Sequence, residues 1–342
     1  MQISRQQTAW LKGIAIAFMV GHHLFAFPER IDPALPVQHL LPWFNLERAV
    51  AGFEKICVPM FLFLSGYGFA MSRARGWRDL LKKSWGIYSQ FWLVCLIFVP
   101  VGMMWFNGSG AYSSDIASVL LNLSGLSTTW NGEWWFLVLY IAYLFTLPLM
   151  RIMGTRQLLG AALVLMVAGN LSFRYFHEGW VERDIALYGM WLLPFVCGFL
   201  AGRHAGDVAS LTQQALQRRL FWPLSLLFIG VIYAAARLPG LTNMGLALVT
   251  PLFIVLCLDV CQRLPARGQA LLAELGQRST FIWLTHTFYC YYFFQPFIYA
   301  PRFTPLIWLL LLTVSWLTSV VLGWIYQQLF TRPKMPDNRI PT

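Results

Sequence analysis

Charge is what this 342-residue sequence has least of: Asp, Glu, Lys and Arg make up 11% of it, against 58% hydrophobic residues. Soluble domains carry about a quarter of their residues as charge. A water-soluble fold is therefore excluded, and lipid is the solvent for most of the surface. Acidic side chains are the scarcer sign, 14 against 25 Lys and Arg. A basic excess suits nucleic acid, acidic ligands or anionic lipid, but in a membrane chain the positive-inside rule accounts for it first. CxxC pairs and Cys/His ligand spacings are also missing. Cys57, Cys95, Cys197, Cys257, Cys261 and Cys290 lie almost entirely within apolar runs, so they read as small buried hydrophobes, with neither a disulfide framework nor a metal site expected. The first apolar run contains Lys12, His22 and His23 and is followed by no persuasive small-residue cleavage site, so it reads as a retained helix and not as a signal peptide. Internal repeats and low-complexity tracts are lacking too, which leaves one domain.

What is present is a succession of apolar runs of roughly 17 to 25 residues, the length that crosses a hydrocarbon core of about 30 Å. Ten are predicted, over Ala9–Phe27, Phe53–Met71, Ser84–Phe106, Trp134–Met150, Leu158–Phe173, Ile185–Gly202, Leu220–Ala236, Met244–Cys261, Ser279–Tyr299 and Leu306–Leu329. Assigning alternate connections to opposite sides puts 18 of the 25 Lys and Arg on the side of the N-terminus, so both termini are expected in the cytoplasm. The reading is all-α: a polytopic helical bundle over residues 1–330 and a short cytoplasmic tail over 331–342, expected to be disordered. The long connections Pro28–Gly52 and Asn107–Glu133 then fall on the far side. Loops of that length line a site or cover one.

The first run carries the chemistry. Eleven helical steps return Lys12 and His23 to within about 20° of one face and separate them by about 16.5 Å along the axis. With Lys12 at the cytoplasmic boundary, His23 lies near mid-membrane, where an ionisable group is by default a functional residue. The alternatives are an interhelical hydrogen bond for His23 and a snorkelling interface lysine for Lys12. His22 points about 100° away from His23 and is not expected to share its task.

Four stretches, in order, resemble those of the acyltransferase-3 family of integral membrane O-acyltransferases. Lys12-x10-His23 is similar to that family's Arg/Lys-x10-His signature, and Phe61-Leu-Phe-Leu-Ser65-Gly66-Tyr67 to its Phe-rich Ser-Gly segment on the second helix. Glu133-Trp134-Trp135-Phe136-Leu137, followed by Tyr143 and Pro148, resembles its Trp-Phe-Leu opening of a middle helix. Ser279-Thr-Phe-Ile-Trp-Leu-Thr-His286 resembles its late Ser-rich helix ending in His. There are departures. Lys12 stands where Arg is commoner, keeping the charge but losing the bidentate fork. The family's Arg-x-x-Arg is matched either by Arg75-Gly-Trp-Arg78 or by the alignment that uses Lys83-Ser-Trp-Gly86. The hydrolase-like domain appended in some members is not recognisable, so transfer is expected to be completed by the membrane unit.

The resemblance implies an acyl-CoA donor, acetyl-CoA in the first instance, and a hydroxyl acceptor on a cell-surface carbohydrate (exopolysaccharide, lipopolysaccharide or lipid-linked sugar), with the protein in the bacterial inner membrane and no metal or nucleic-acid partner. Lys12, Arg73, Arg75, Arg78, Lys82 and Lys83 are then the candidates for the coenzyme's phosphates, although positive-inside topology alone places basic residues there. A sugar hydroxyl needs a general base to attack a thioester, and His23 is the candidate. Glu133 would orient that imidazole, hold its charge or bind acceptor hydroxyls; otherwise it is an interfacial carboxylate. His286 lies within about 6 Å of the depth of His23 and either shares its cavity or bonds a neighbouring helix. Trp130, Trp134 and Trp135 either stack on sugar rings or belong to the aromatic belt. Ser65 and Gly66 serve close helix packing, since no G-x-S-x-G elbow surrounds the serine. The alternative class is a proton-coupled transporter or flippase of a small metabolite or lipid-linked sugar, in which buried His and Glu relay protons.

Overall fold

The computed structural model describes residues 2–330 apart from 41–42, 44–45, 73–75, 107, 109, 177–178 and 238–240. The tail expected over 331–342 lies outside the described residues, as do Arg73 and Arg75. The described residues fold into fifteen α-helices without a named strand. They are α1 (Arg5–Phe25), α2 (Leu46–Phe53), α3 (Cys57–Met71), α4 (Trp77–Trp105), α5 (Ile116–Ser124), α6 (Phe136–Ile152), α7 (Thr155–Tyr175), α8 (Trp180–Arg203), α9 (Ala205–Leu216), α10 (Phe221–Arg237), α11 (Thr242–Arg263), α12 (Ala266–Gln277), α13 (Ser279–Thr287), α14 (Gln295–Tyr299) and α15 (Thr304–Phe330).

Among the described residues, seven helical segments are long and apolar enough to cross a membrane, and an eighth crossing results if α9 and α10, bent by 104° at their junction, act as one. The expectation of ten exceeds this count, and the two further runs differ for separate reasons. Helix α1, with 21 residues, is long enough, but Lys12, His22 and His23 dilute its hydropathy. The run Ser279–Tyr299 is broken into α13, a π-helical turn over Phe288–Tyr292 and the five-residue α14, which Pro296 starts. The connection 107–133 also holds more order than expected: Asp115 caps the first turn of α5, accepting from the Ser118 N–H at 2.9 Å, and Gly125 ends it at φ +81°.

The start of α1 is set locally by a capping box. Ser4 Oγ accepts from the Gln7 N–H at 3.1 Å, and Gln7 Oε1 accepts from the Ser4 N–H at 2.8 Å. Its position in the bundle is set by glycine. A Cβ on Gly276 of α12 would sit 1.9 Å from the Ala9 carbonyl oxygen, and one on Gly13 would sit 2.2 Å from that of Leu272. Helices α3 and α8 approach in the same way, Gly66 against the Phe195 carbonyl and Gly198 against that of Phe63. Lipid offers no hydrophobic drive for helices to associate, so such backbone-to-backbone contact supplies the van der Waals energy instead. The packing role expected of Gly66 is the one it has.

Gly198→Ala is therefore expected to lower stability by about 1–3 kcal/mol through overpacking, read as a lower unfolding temperature of the detergent-solubilised protein. Gly68→Ala, on the same helix pair but with open space at its Cβ, should leave that temperature unchanged or raise it.

Candidate active site

The last turn of α1 presents His22 and His23 side by side, with ring centroids 5.2 Å apart and both rings buried. They open on a cavity of about 440 Å³ that extends along α1 from Lys12, Ser279 and Thr280 at one end to Arg30, Lys55 and Arg183 at the other. Lys12 and His23 share the cavity wall, as their spacing requires. His22 faces the cavity as well, held there by a hydrogen bond of 2.8 Å between its Nδ1 and the Ala51 carbonyl.

The π-helical turn decides the protonation geometry of His23. Its wider ring, closed by the Phe293 N–H on the Phe288 carbonyl at 2.7 Å, turns Tyr291 back onto α1. The Tyr291 hydroxyl donates to the carbonyl of His23, so its oxygen is left as acceptor for His23 Nδ1, 3.3 Å away. A neutral His23 thus carries its proton on Nδ1 and keeps the Nε2 lone pair free. Nε2 lies 3.8 Å from Oε2 of Glu133, too far for a direct hydrogen bond but close enough for the carboxylate to stabilise an imidazolium.

Glu133 is fixed from two directions. Its backbone belongs to a 3-10 turn over Gly132–Trp135 that is tied to the α13 region at four consecutive residues. Asn131 Nδ2 donates to Thr287 Oγ1 at 2.7 Å, the Gly132 N–H to Tyr292 Oη at 3.0 Å, Trp283 Nε1 to the Glu133 carbonyl at 3.2 Å and Trp134 Nε1 to the Leu284 carbonyl at 3.0 Å. Its carboxylate accepts from Arg30 at 2.9 Å. Burial by itself would lower the affinity of Arg30 for its proton, but the hydrogen bond and charge of Glu133 more than offset this and raise its pKa above the ordinary value. The guanidinium lies over the rings of Phe27 and Tyr291, 4.6 and 5.0 Å from their centroids. Gln295 fastens the loop below it, accepting from the Asp32 N–H at 2.8 Å and donating to the carbonyls of Arg30 and Cys290 at 2.8 and 3.0 Å.

His286 packs against His23, ring centroids 4.9 Å apart, and is fully buried. Its Nδ1 faces the carbonyls of Ile282 and Trp283 at 3.1 and 2.9 Å and so bears the proton, which leaves Nε2 a buried acceptor with no partner among the described residues. Also among the described residues, no group of three or more His, Cys, Asp or Glu is arranged to hold a metal ion.

The tryptophans divide. Trp135 lines the cavity. Trp130 and Trp134 are buried, Trp134 against Phe91 and Phe288 at centroid distances of 4.9 and 5.6 Å. The rings of both are covered by protein and neither lines the cavity, and Trp134 ties the Glu133 loop to α13 through the Leu284 carbonyl. Ser65 opens on the cavity but its Oγ donates to the Phe61 carbonyl at 2.7 Å. Among the basic candidates, Lys12 lines the cavity. Arg78 and Lys82 are exposed on the first turns of α4, and Lys83 lies half-buried with its ammonium 5.3 Å from the centroid of Phe69.

Three site residues escaped the sequence. Arg30 and Tyr291 carry no motif, and only folding brings them to α1. Lys55 falls inside the predicted run Phe53–Met71 but only two residues from its edge, where a lysine reads as a snorkelling interface residue.

Fold and site together define a multi-pass helical membrane protein whose polar cavity holds a histidine facing a carboxylate. Residues 9–324 match the acyltransferase-3 family, described as an acyltransferase domain, and the chain belongs to that family. The match spans all four stretches that carry the resemblance. Neither curated proteins nor solved structures give a match.

In lipid-embedded protein with 15N-labelled histidine, His23, assigned through His23→Gln, should show the shifts of an Nδ1–H, Nε2-lone-pair imidazole. Tyr291→Phe should mix the tautomers; unchanged shifts in that variant would remove Tyr291 from this role.

Proposed function

We propose that the protein moves an acyl group, acetyl in the first instance, from cytoplasmic acyl-CoA to a hydroxyl of a cell-surface carbohydrate. The observation that carries this reading is the free Nε2 of His23, facing both the cavity and Glu133, in a member of an acyltransferase family. In the proposed step the acceptor hydroxyl gives its proton to His23 Nε2 as its oxygen bonds to the thioester carbonyl carbon. The carbon–sulfur bond then breaks, and the coenzyme thiolate takes the proton back from His23. Glu133, held by Arg30, stabilises the imidazolium in between. Tyr291 does the orienting of the ring, which leaves the carboxylate for this charge and for acceptor hydroxyls.

The donor is assigned to the Lys12 end. A cavity of about 440 Å³ suits the thioester arm and not the whole nucleotide, so the coenzyme's phosphates stay at the mouth, with Lys12 the lining cation and Arg78, Lys82 and Lys83 on the adjoining α4 as further contacts. His286, behind His23, completes the proposed catalytic group, and Trp135 is assigned to the acceptor. Ten crossings, with α1 and the broken α13–α14 segment counted, would put both termini in the cytoplasm of a cell with this protein in its inner membrane, and the acceptor would meet the Glu133 end from outside. A cavity with cations at both ends also suits a carrier, but a carrier has no need of acceptor-dependent coenzyme release.

Membranes supplied with labelled acetyl-CoA should label surface carbohydrate with release of coenzyme. His23→Ala should reduce this by about 10²–10⁴-fold, the range for loss of a general base, and Glu133→Gln by a smaller factor, at equal protein levels. Equal labelling with His23→Ala would end its assignment as base; acceptor uptake without coenzyme release would favour the carrier.

A further inference from the structure

Five formal charges line the cavity besides its histidines: Lys12, Arg30, Lys55, Arg183 and the single carboxylate of Glu133. Two of the four cations are compensated. Arg30 holds Glu133, and Arg183 is turned onto its neighbour Asp184, with Nε and Nη2 at 3.1 and 3.0 Å from Oδ1. Lys12 and Lys55 remain, one at each end, and among the described residues neither ammonium has an ion-pair partner. Lys12 sits at the donor end. Lys55 has no such explanation.

Its setting is specific. Lys55 lies in the 3-10 turn Glu54–Ile56, where the chain passes from α2 into α3, and its side chain lines the histidine end of the cavity. It is within electrostatic range of His22, His23 and Glu133. The acid on its own turn does not neutralise it: the Glu54 carboxylate is folded against Gly21, where a Cβ would lie 2.1 Å from Oε2. Glu133 is already bound to Arg30. The part-buried side chain turns its ammonium to the cavity and not to a carboxylate, and an ionisable group kept on an intramembrane cavity is by default a functional candidate. A mobile stem with three donors and no fixed partner suits an anionic oxygen that arrives and leaves.

We propose that Lys55 is the acceptor-side anion site, and that the acceptor carries a negative oxyacid group, a carboxylate or a phosphate, close to the hydroxyl that is acylated. The assignment of that group to an acceptor rests on the acyl-transfer reading; the anion site itself does not. Arg30 and Glu133 then frame the hydroxyl while Lys55 holds the charge beside it. A neutral sugar would leave the ammonium uncompensated, so the same residue selects against neutral acceptors.

The test has two arms. In the first, the full-length protein in nanodiscs of phosphatidylcholine is assayed for equilibrium binding of 32P-phosphate, 14C-glucuronate and 14C-glucose. Every sample carries Lys12→Met, so that the other unpaired ammonium does not contribute. Saturable binding of phosphate or glucuronate but not glucose is expected, with Lys55→Met weakening it at least about tenfold and Lys55→Arg retaining it. Thermal stability of Lys55→Met should equal or exceed that of its parent, because no native pair is broken; a merely structural lysine would be destabilised. No saturable anion binding, or equal binding by Lys55→Met, overturns the proposal. In the second arm, host membranes expressing the wild type receive labelled acetyl-CoA, and the product is passed over an anion exchanger. Retention is expected. Product that stays retained after mild acid carries a carboxylate on the sugar itself, whereas product released as neutral carried its charge on an acid-labile phosphodiester link. A neutral product before acid treatment overturns the acceptor assignment. No labelled product at all sinks the acyl-transfer reading and not the anion site, which the binding arm decides separately.

Discussion

A polar group inside hydrocarbon has no water to turn to, and each must find its partner within the protein. The structure around the cavity follows from that constraint. His23 could not be held at depth without Tyr291, Tyr291 reaches it only because the helix after His286 widens into a π turn, and the Glu133 loop stays in place because each of its residues from Asn131 to Trp134 is hydrogen-bonded to the α13 region. Three segments remote in sequence, around residues 23, 133 and 286, are thereby locked into one polar cluster.

The scaffold that carries this cluster is apolar and close-packed, by a different device. Glycines at the α1–α12 and α3–α8 crossings let backbones touch, so that rigidity comes from shape and not from expelled water. Irregular backbone gathers at one end of the site: the Arg30 turn, the Glu54–Ile56 turn, the Gly132–Trp135 turn and the π turn all supply residues there. Non-helical chain at depth is tolerated where it is buried in protein or lines a polar space.

Charge is distributed with matching economy. Arg30 and Arg183 are each given a carboxylate, while Lys12 and Lys55 are left without one at opposite ends of a single cavity. Two ammoniums facing one passage fit the proposed reaction, in which donor and acidic acceptor would approach from two sides.

Composition alone decided the solvent, and with it the all-helical class. Periodicity placed Lys12 and His23 on one wall, and depth along the helices put His286 level with His23. These are properties of single helices, for which rise and turn are fixed. What the sequence left open were relations between helices: whether Glu133 reaches His23, which nitrogen of the imidazole is free, and that Arg30 completes the pair. Trp134 shows why, since an aromatic residue at a helix end reads alike whether its faces meet a ligand or, as here, Phe91 and Phe288. The run Ser279–Tyr299 shows it again: its hydropathy is that of a continuous span, but it is broken by a π turn whose Tyr291 and Tyr292 are bonded to α1 and the Glu133 loop. Those partners lie more than a hundred residues away, and tertiary packing alone brings them together.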